Sequence, residues 1–263
     1  MALKHHIDAQ LRYNQQVENS TAYVLPFLEN TQAIDSQTKV LEVGTGEGGV
    51  LVPFIQRGCY CVGVDLAQAR IDIANAMLES EVSSGKVEFL CINIYDSLFI
   101  NRFKHEFDII ILKDVIEHVP NQKDFIAHLK LFLKSGGQIF FGFPPWYMPF
   151  GGHQQTCQTK LASKLPYYHI LPKFIYIALL KAFGENEGTI RELIEIKDTQ
   201  ISIERFERII MQNKLSILHK QHYLINPIYK YKFGLNPRKQ WRPITWIPYV
   251  RDFVTTCVYY TVG

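Results

Sequence analysis

Residues 40–49 read Val-Leu-Glu-Val-Gly-Thr-Gly-Glu-Gly-Gly. An apolar strand runs there into a glycine turn. A second apolar run, Val62-Gly-Val-Asp65, ends about 20 residues after the first glycine, the spacing of a nucleotide-binding βαβ unit. The glycines let the backbone turn sharply and leave no Cβ between main-chain N–H groups and a ligand. Asp65, at the end of the next strand, is placed to accept hydrogen bonds from both hydroxyls of a ribose. An adenosine-type cofactor is therefore expected.

The glycines alone admit two kinds. Gly44, Gly46 and Gly49 satisfy the dinucleotide pattern G-x-G-x-x-G, while Gly44, Gly46 and Gly48 satisfy G-x-G-x-G. The second spacing, with Glu42 two residues ahead of it, resembles motif I of class I S-adenosylmethionine (SAM) methyltransferases, here Glu42–Gly48. Carboxylates at Glu42 and Glu47 would repel a pyrophosphate but not the cationic, amino-bearing SAM. Further stretches resemble the same family in its order. Val87–Asp96 is a strand passing through Asn93-Ile94, with Asn where the family usually has Asp on the adenine amino group. Phe107–Asp114 resembles motif IV over Asp108–Asp114. Leu133-Lys-Ser-Gly-Gly137 resembles the turn into the fifth strand, with Ser135 in place of proline.

The resemblance covers 39–143 and implies a Rossmann-like, doubly wound, mostly parallel seven-stranded sheet with an antiparallel last strand and helical or loop lid insertions. It implies SAM as cofactor, S-adenosylhomocysteine as product, and cofactor contacts at Tyr13 (or Arg12), Glu42, Gly44, Gly46, Gly48, Asp65, Leu66, Asn93, Ile94 and Lys113. An NAD(P)-dependent oxidoreductase, kept open by Gly49, and a SAM-binding protein without catalysis are the other classes. The acceptor is not implied, because function lies in sites grafted on the fold.

The chain has 263 residues, 47% hydrophobic and 20% charged, which allows a sizeable core. A formal net charge of +3 is too small to argue by itself for nucleic acid. Cys59, Cys61, Cys91, Cys157 and Cys257 are scattered and odd in number, so reduced core thiols are expected rather than a disulfide framework or metal site. Met-Ala-Leu-Lys-His-His at the start carries no apolar signal core, and no stretch reaches the ~20 apolar residues that span a bilayer. A cytoplasmic protein is expected, its oligomeric state open.

One domain of 1–263 is expected in four parts: an N-terminal helix in 1–38, a core at 39–143, a lid at 144–200, and a final helix and strands at 201–263. Helical periodicity covers 7–30. Strands at 39–43, 60–64, 87–92, 107–112 and 138–143 alternate with helices at 48–57, 67–80 and 121–134. That alternation implies right-handed crossovers, a parallel sheet and a cofactor at the strands' carboxyl ends. Ser202 would cap a helix through Gln212, and strands near 215–225 and 252–261 would complete the sheet. The lid holds the loop Pro144–His153 and an apolar, aromatic run at 165–180. A second insertion, 226–251, interleaves Lys230, Lys232, Arg238, Lys239, Arg242 and Arg251 with aromatics and has no acidic residue. Its composition fits phosphates gripped beside stacked bases, a membrane interface, or a lid whose aromatics pack inward.

Methyl transfer requires an acceptor aligned with the sulfonium methyl and, for a hydroxyl, removal of a proton. Asp114, Glu117 and His118 fall at i, i+3 and i+4, one face of a helical turn, and His153 sits in a glycine-flanked loop after the fifth strand. His118 and His153 are the candidate catalytic residues, as general bases for a hydroxyl. The four residues together are also a candidate divalent-metal set, resembling an E-x-x-E-H segment of metal-dependent RNA 2′-O-methyltransferases and of ubiquinone-biosynthesis O-methyltransferases, with Asp at 114. Glu-His here also occurs without metal, as a loop-holding pair. The metal-free version is the expectation, acting on a small or lipid-like hydroxyl acceptor with possible membrane contact; an RNA acceptor is the alternative.

Overall fold

The computed structural model describes residues 8–263. The expectations for residues 1–7, the missing signal core and the first residue of the N-terminal helix, lie outside them. Eight strands form one sheet in the order β3-β2-β1-β4-β5-β8-β6-β7. The strands are β1 Lys39–Val43, β2 Tyr60–Asp65, β3 Val87–Cys91, β4 Phe107–Lys113, β5 Leu133–Phe143, β6 Ile217–Ile225, β7 Arg238–Lys239 and β8 Cys257–Val262. β3, β2, β1, β4 and β5 are mutually parallel, and β8 is antiparallel to both β5 and β6. The expected seven strands gain an eighth: β7 pairs Lys239 with Tyr223 and Arg238 with Ile225 at the β6 edge. Two residues long, it left no periodicity to read.

The central strands are apolar on both faces because helices cover both. Leu41, Val62, Ile110, Leu112, Phe141 and Val258 enter a core with α8 (Ile203–Gln212), while Val40, Ile109, Ile111, Phe140 and Tyr259 enter the opposite one with the N-terminal helix. That helix, α1 (Ala9–Asn19), is capped by Asp8, which accepts from Leu11 N, and continues through a π-turn at Ser20–Val24 into Leu25–Leu28. Pro26 accounts for the widening: it lacks the N–H that Ala22 O would accept, and its ring crowds that carbonyl. Ser202 does cap α8, accepting from Arg205 N at 3.1 Å.

Some boundaries differ from expectation. The helix after the glycines is a single 3₁₀ turn, Gly49–Leu51, followed by α2 (Val52–Gln56). The helix expected over 67–80 is α3 (Gln68–Met77), followed separately by Glu79–Ser83. α5 (Gln122–Leu129, after α4, Ser97–Phe103) stops before 134, because Leu133 already pairs with Phe107 in β5. The last strand begins at Cys257; Val250–Phe253 is helical. Within 144–200, α6 (Lys173–Ala182) and α7 (Glu187–Thr199) close a small core of their own around Tyr168, Tyr176, Leu180 and Leu193. All five cysteines are free; four are buried and Cys91, at the end of β3, is exposed. No helix among the described residues is long and apolar enough to cross a membrane.

Candidate functional site

The glycine turn leaves β1 in left-handed backbone: Gly44, Gly46 and Gly48 have φ of +74°, +56° and +80°. Only Gly44 and Gly46 line a cavity. Gly48 serves packing instead, since a Cβ there would stand 2.7 Å from Phe89 Cζ. Asp65 holds the turn in shape, accepting from Gly46 N and Ala67 N at 3.0 Å each. α1 closes over it: Gln16 Oε1 accepts from Gly49 N at 3.2 Å, and Arg12 pairs with buried Glu47 at 2.6 Å. Arg12, one of the two residues expected at a SAM carboxylate, is thus tied to the glycine turn. The other, Tyr13, packs on the core and lies outside the cavity linings.

Two adjoining cavities meet at Gly44, Arg70 and Asp114. The larger, about 730 Å³, runs past Asp65, Leu66, Asn93, Ile94 and Tyr95 to His118 and Phe125. Leu66 is exposed and Ile94 buried, presenting two apolar surfaces. Asn93 Oδ1 already accepts from Tyr95 N at 3.0 Å, so the oxygen expected to meet an adenine amino group also shapes the strand end. The smaller cavity, about 150 Å³, is polar and holds Glu42, Arg70, Lys113 and Lys232. Burial raises Glu42 to about 8 although Thr45 Oγ1 donates to it at 2.7 Å. Lys113 donates to Asp114 Oδ2 at 2.6 Å, which outweighs desolvation and holds the carboxyl below, and the ammonium above, their ordinary values. Gln16, Arg70 and Lys232 carried no sequence signal as site residues beyond Lys232's place in the basic-aromatic stretch.

Three side chains converge beside the larger cavity, and of these His118 lines it. Ligand atoms of Glu117, His118 and His153 lie within 4.8 Å of one another. The two imidazoles are 5.1 Å apart between ring centroids, and His153 Nε2 is 3.9 Å from Glu117 Oε1. Glu117 is buried and neither carboxylate oxygen has a hydrogen-bond partner; burial, with Asp114 nearby, pushes its pKa well up. Desolvation depresses His118, against the pull of Asp114. The lid builds this corner. A Cβ at Gly151 would fall 2.1 Å from Trp146 O, and one at Gly152 would fall 2.5 Å from His169 Cβ, so only glycines let the loop fold tightly enough to bring His153 across. Thr199, ending α7, donates to Glu117 O.

Asp114 does not join them. Its φ of +57° breaks the helical path that would have put it on one face with Glu117 and His118, and the 3₁₀ turn begins only at Ile116. The expected four-residue set is therefore three, with Asp114 paired to Lys113 on the cavity wall.

Residues 12–154 match the family model described as "Methyltransferase domain". A ubiquinone biosynthesis O-methyltransferase of Idiomarina loihiensis is 32% identical over 117 residues, 44% of this chain and 46% of that one. One from Pseudomonas fluorescens is 34% identical over 104 residues, 39% and 43% of the two chains. The chain thus spans under half the length of these curated relatives. Among solved structures, geranyl diphosphate C-methyltransferase from Streptomyces coelicolor, in complex with Mg²⁺, geranyl diphosphate and S-adenosylhomocysteine, superposes with a TM-score of 0.56 at 15% identity, covering 92% of this chain and 78% of that one. A Haemonchus contortus N-methyltransferase bound to phosphomonomethylethanolamine and S-adenosylhomocysteine gives 0.53 at 13% identity, covering 90% and 51%. At these identities the superpositions speak for the fold.

Proposed function

The chain belongs to the class I SAM-dependent methyltransferase family, and from that premise we propose that it moves the methyl group of SAM to a hydroxyl oxygen of a small or lipid-like acceptor. The observation that carries the reading is the convergence of Glu117, His118 and His153, with His118 lining the same cavity as Asp65. In this reading Asp65 binds the ribose hydroxyls, Leu66 and Ile94 flank the adenine, and the small polar cavity takes the amino-acid end between its cations and Glu42. The acceptor lies against His118 and His153. Its oxygen attacks the methyl carbon in line, the carbon–sulfur bond breaks to leave the neutral thioether, and the hydroxyl proton passes to an imidazole nitrogen. The larger cavity's apolar side chains, Val119 and Phe125, favour a lipophilic acceptor beside the reacting oxygen. The oxygen acceptor agrees with the names of the two bacterial relatives, and free thiols suit a cytoplasmic setting.

Beside the metal-free version stands a second reading, favoured by one observation. A buried carboxylate with neither oxygen hydrogen-bonded among the described residues, beside two imidazoles, is a donor set of mixed oxygen and nitrogen that fits a divalent cation. When bound, such a cation would make the acceptor hydroxyl more acidic and fix its orientation. Glu117, His118 and His153 would hold it, while Asp114 stays with Lys113.

Calorimetry with SAM, S-adenosylhomocysteine and NAD tests the cofactor; NAD binding with no response to the other two would refute it. Turnover of SAM with phenols, polyprenyl quinol precursors and short RNAs, each with EDTA and after return of Mg²⁺, Mn²⁺ or Zn²⁺, tests the acceptor and the cation. Activity on RNA alone overturns the lipophilic acceptor. Full activity in EDTA returns the chemistry to a histidine base.

A further inference from the structure

Between Arg238 and Val254 the fold turns a run of large apolar side chains outward. Trp241, Trp246 and Tyr249 are 69%, 75% and 68% exposed, and Ile247 and Val250 are 48% and 50%. Aromatic packing inward, one of the expectations for this stretch, does not describe these residues. Nor is the segment slack. Arg251 is buried and donates to Glu204 Oε1 and Glu207 Oε2 at 2.8 Å each. Tyr249 N donates to Glu204 Oε1 at 2.9 Å, and Gln240 Nε2 donates to Val254 O at 2.6 Å. The backbone is pinned to α8 while the apolar side chains stand in solvent, and a contiguous exposed patch of this kind marks a surface that meets something.

Beside them lies a further cavity, about 850 Å³, that shares no residue with the two at the glycine turn. Tyr23, His219, Lys220, Lys239, Arg242 and Trp246 are among its lining, and none of the lining residues is acidic. Glu207 neutralises Lys220 and, with Glu204, Arg251. Lys239 and Arg242 make no ion pair among the described residues. Trp246 belongs both to the cavity wall and to the exposed set, so cations and apolar side chains form one surface. This surface lies at the β6–β7 edge of the sheet, and its last residues reach the lid. Tyr147, in the loop that leads to His153, stacks on Phe253 at 5.3 Å, and Tyr167 Oη donates to Phe253 O at 3.1 Å.

We infer that residues 238–254 seat the protein on an anionic phospholipid bilayer, with Trp241, Trp246 and Tyr249 in the boundary between headgroups and acyl chains, Lys239 and Arg242 at lipid phosphates, and the cavity admitting a headgroup. Trp and Tyr are the side chains that favour that boundary, and unpaired cations beside them supply the complementary charge. The inference stands apart from methyl transfer and needs no cofactor.

The full chain is mixed with phosphatidylcholine vesicles, with and without phosphatidylglycerol, and followed by co-sedimentation and tryptophan emission. Trp146 is buried, so a change in emission reports on Trp241 and Trp246. Binding and a blue shift with phosphatidylglycerol vesicles, weakened by salt, are the expected result. Lys239→Gln and Arg242→Gln should each lower the partition coefficient about fivefold. Trp241→Ser with Trp246→Ser should remove most of the remainder while the thermal melt stays that of the parent, since none of these side chains is in the core. Absence of co-sedimentation overturns the inference, as does undiminished binding by the combined variant. A blue shift that grows with protein concentration alone would assign the face to a second copy instead, and binding to short RNA without vesicle binding would assign it to nucleic acid.

Discussion

Glu117→Gln separates a divalent-cation site from a histidine acting alone. Loss of a partner one shell out from a metal already costs ~10–100-fold in affinity, so losing one of three direct ligands should cost at least about 100-fold. At a cation concentration ~100 times the parent's Kd, binding stabilises the parent by about 2.7 kcal/mol, whereas a variant with 100-fold weaker affinity gains only about 0.4 kcal/mol. At ~2–4 °C per kcal/mol for a chain of this size, the cation should raise Tm by roughly 5–11 °C in the parent and about 1 °C in Glu117→Gln. The metal-free melts should be close, because glutamine keeps the shape and neither Glu117 oxygen has a hydrogen bond to lose. Asp114→Asn is the control: paired with Lys113 and outside the trio, it should keep the shift. Differential scanning fluorimetry after EDTA treatment, with Mn²⁺, Zn²⁺ or Mg²⁺ returned, reads all of this. Equal shifts in parent and Glu117→Gln, or none in the parent, would refute the site.

Asp65→Ala should cost about 2–4 kcal/mol of SAM affinity through the lost ribose bonds, and should also lower Tm, because Gly46 N and Ala67 N lose their acceptor; unchanged calorimetric affinity would mean the ribose is bound elsewhere. Gly48→Ala must take φ +80° and place a methyl 2.7 Å from Phe89 Cζ, so urea unfolding should show a loss on the order of 1–3 kcal/mol; Phe89→Leu should return part of it, and no return would locate the strain in the backbone alone. His169 and His222 are buried and held neutral, each near 4, by burial. The unfolded rings protonate near 6.5, so this stability is present above that pH and is lost as pH falls toward 4, by about 2 kcal/mol per histidine at pH 5; urea midpoints unchanged between pH 7 and pH 5 would contradict it.

The glycine-turn half was legible because its signals are local. A strand, three glycines at fixed spacing and a carboxylate one strand later are set by backbone geometry, and the backbone reproduces them at Gly44, Gly46 and Asp65. What the motif could not apportion was role. Gly48 is there for Phe89, a residue 41 positions away. Arg12 answers Glu47 rather than standing free for a ligand. Element ends failed where apolar runs are ambiguous between states: Leu131-Phe-Leu133 continues the periodicity of α5, yet hydrogen bonding assigns Leu133 to β5.

The chemical half was legible only as residue types. Glu117-His118 and His153 carry oxygen and nitrogen donors, but bringing them together depends on contacts that no spacing encodes. The loop must pass so close to Trp146 and His169 that side chains are excluded at Gly151 and Gly152, and α7 must end with Thr199 on Glu117's carbonyl. Asp114 shows the converse. Its spacing promised a shared helical face, and one left-handed residue removed it from that face. A spacing rule presumes regular backbone, and here the backbone departs from regularity at Asp114 and at His153, two of the four positions the chemistry invokes. Deleting the lid's hold on this corner should therefore act on the trio and spare the glycine turn. Thr199→Val, which removes the donor to Glu117 O, should weaken the cation-dependent rise in Tm while leaving SAM affinity near that of the parent. Calorimetry showing SAM affinity falling in step with the cation response would mean that the two ends of the cavity are not separable.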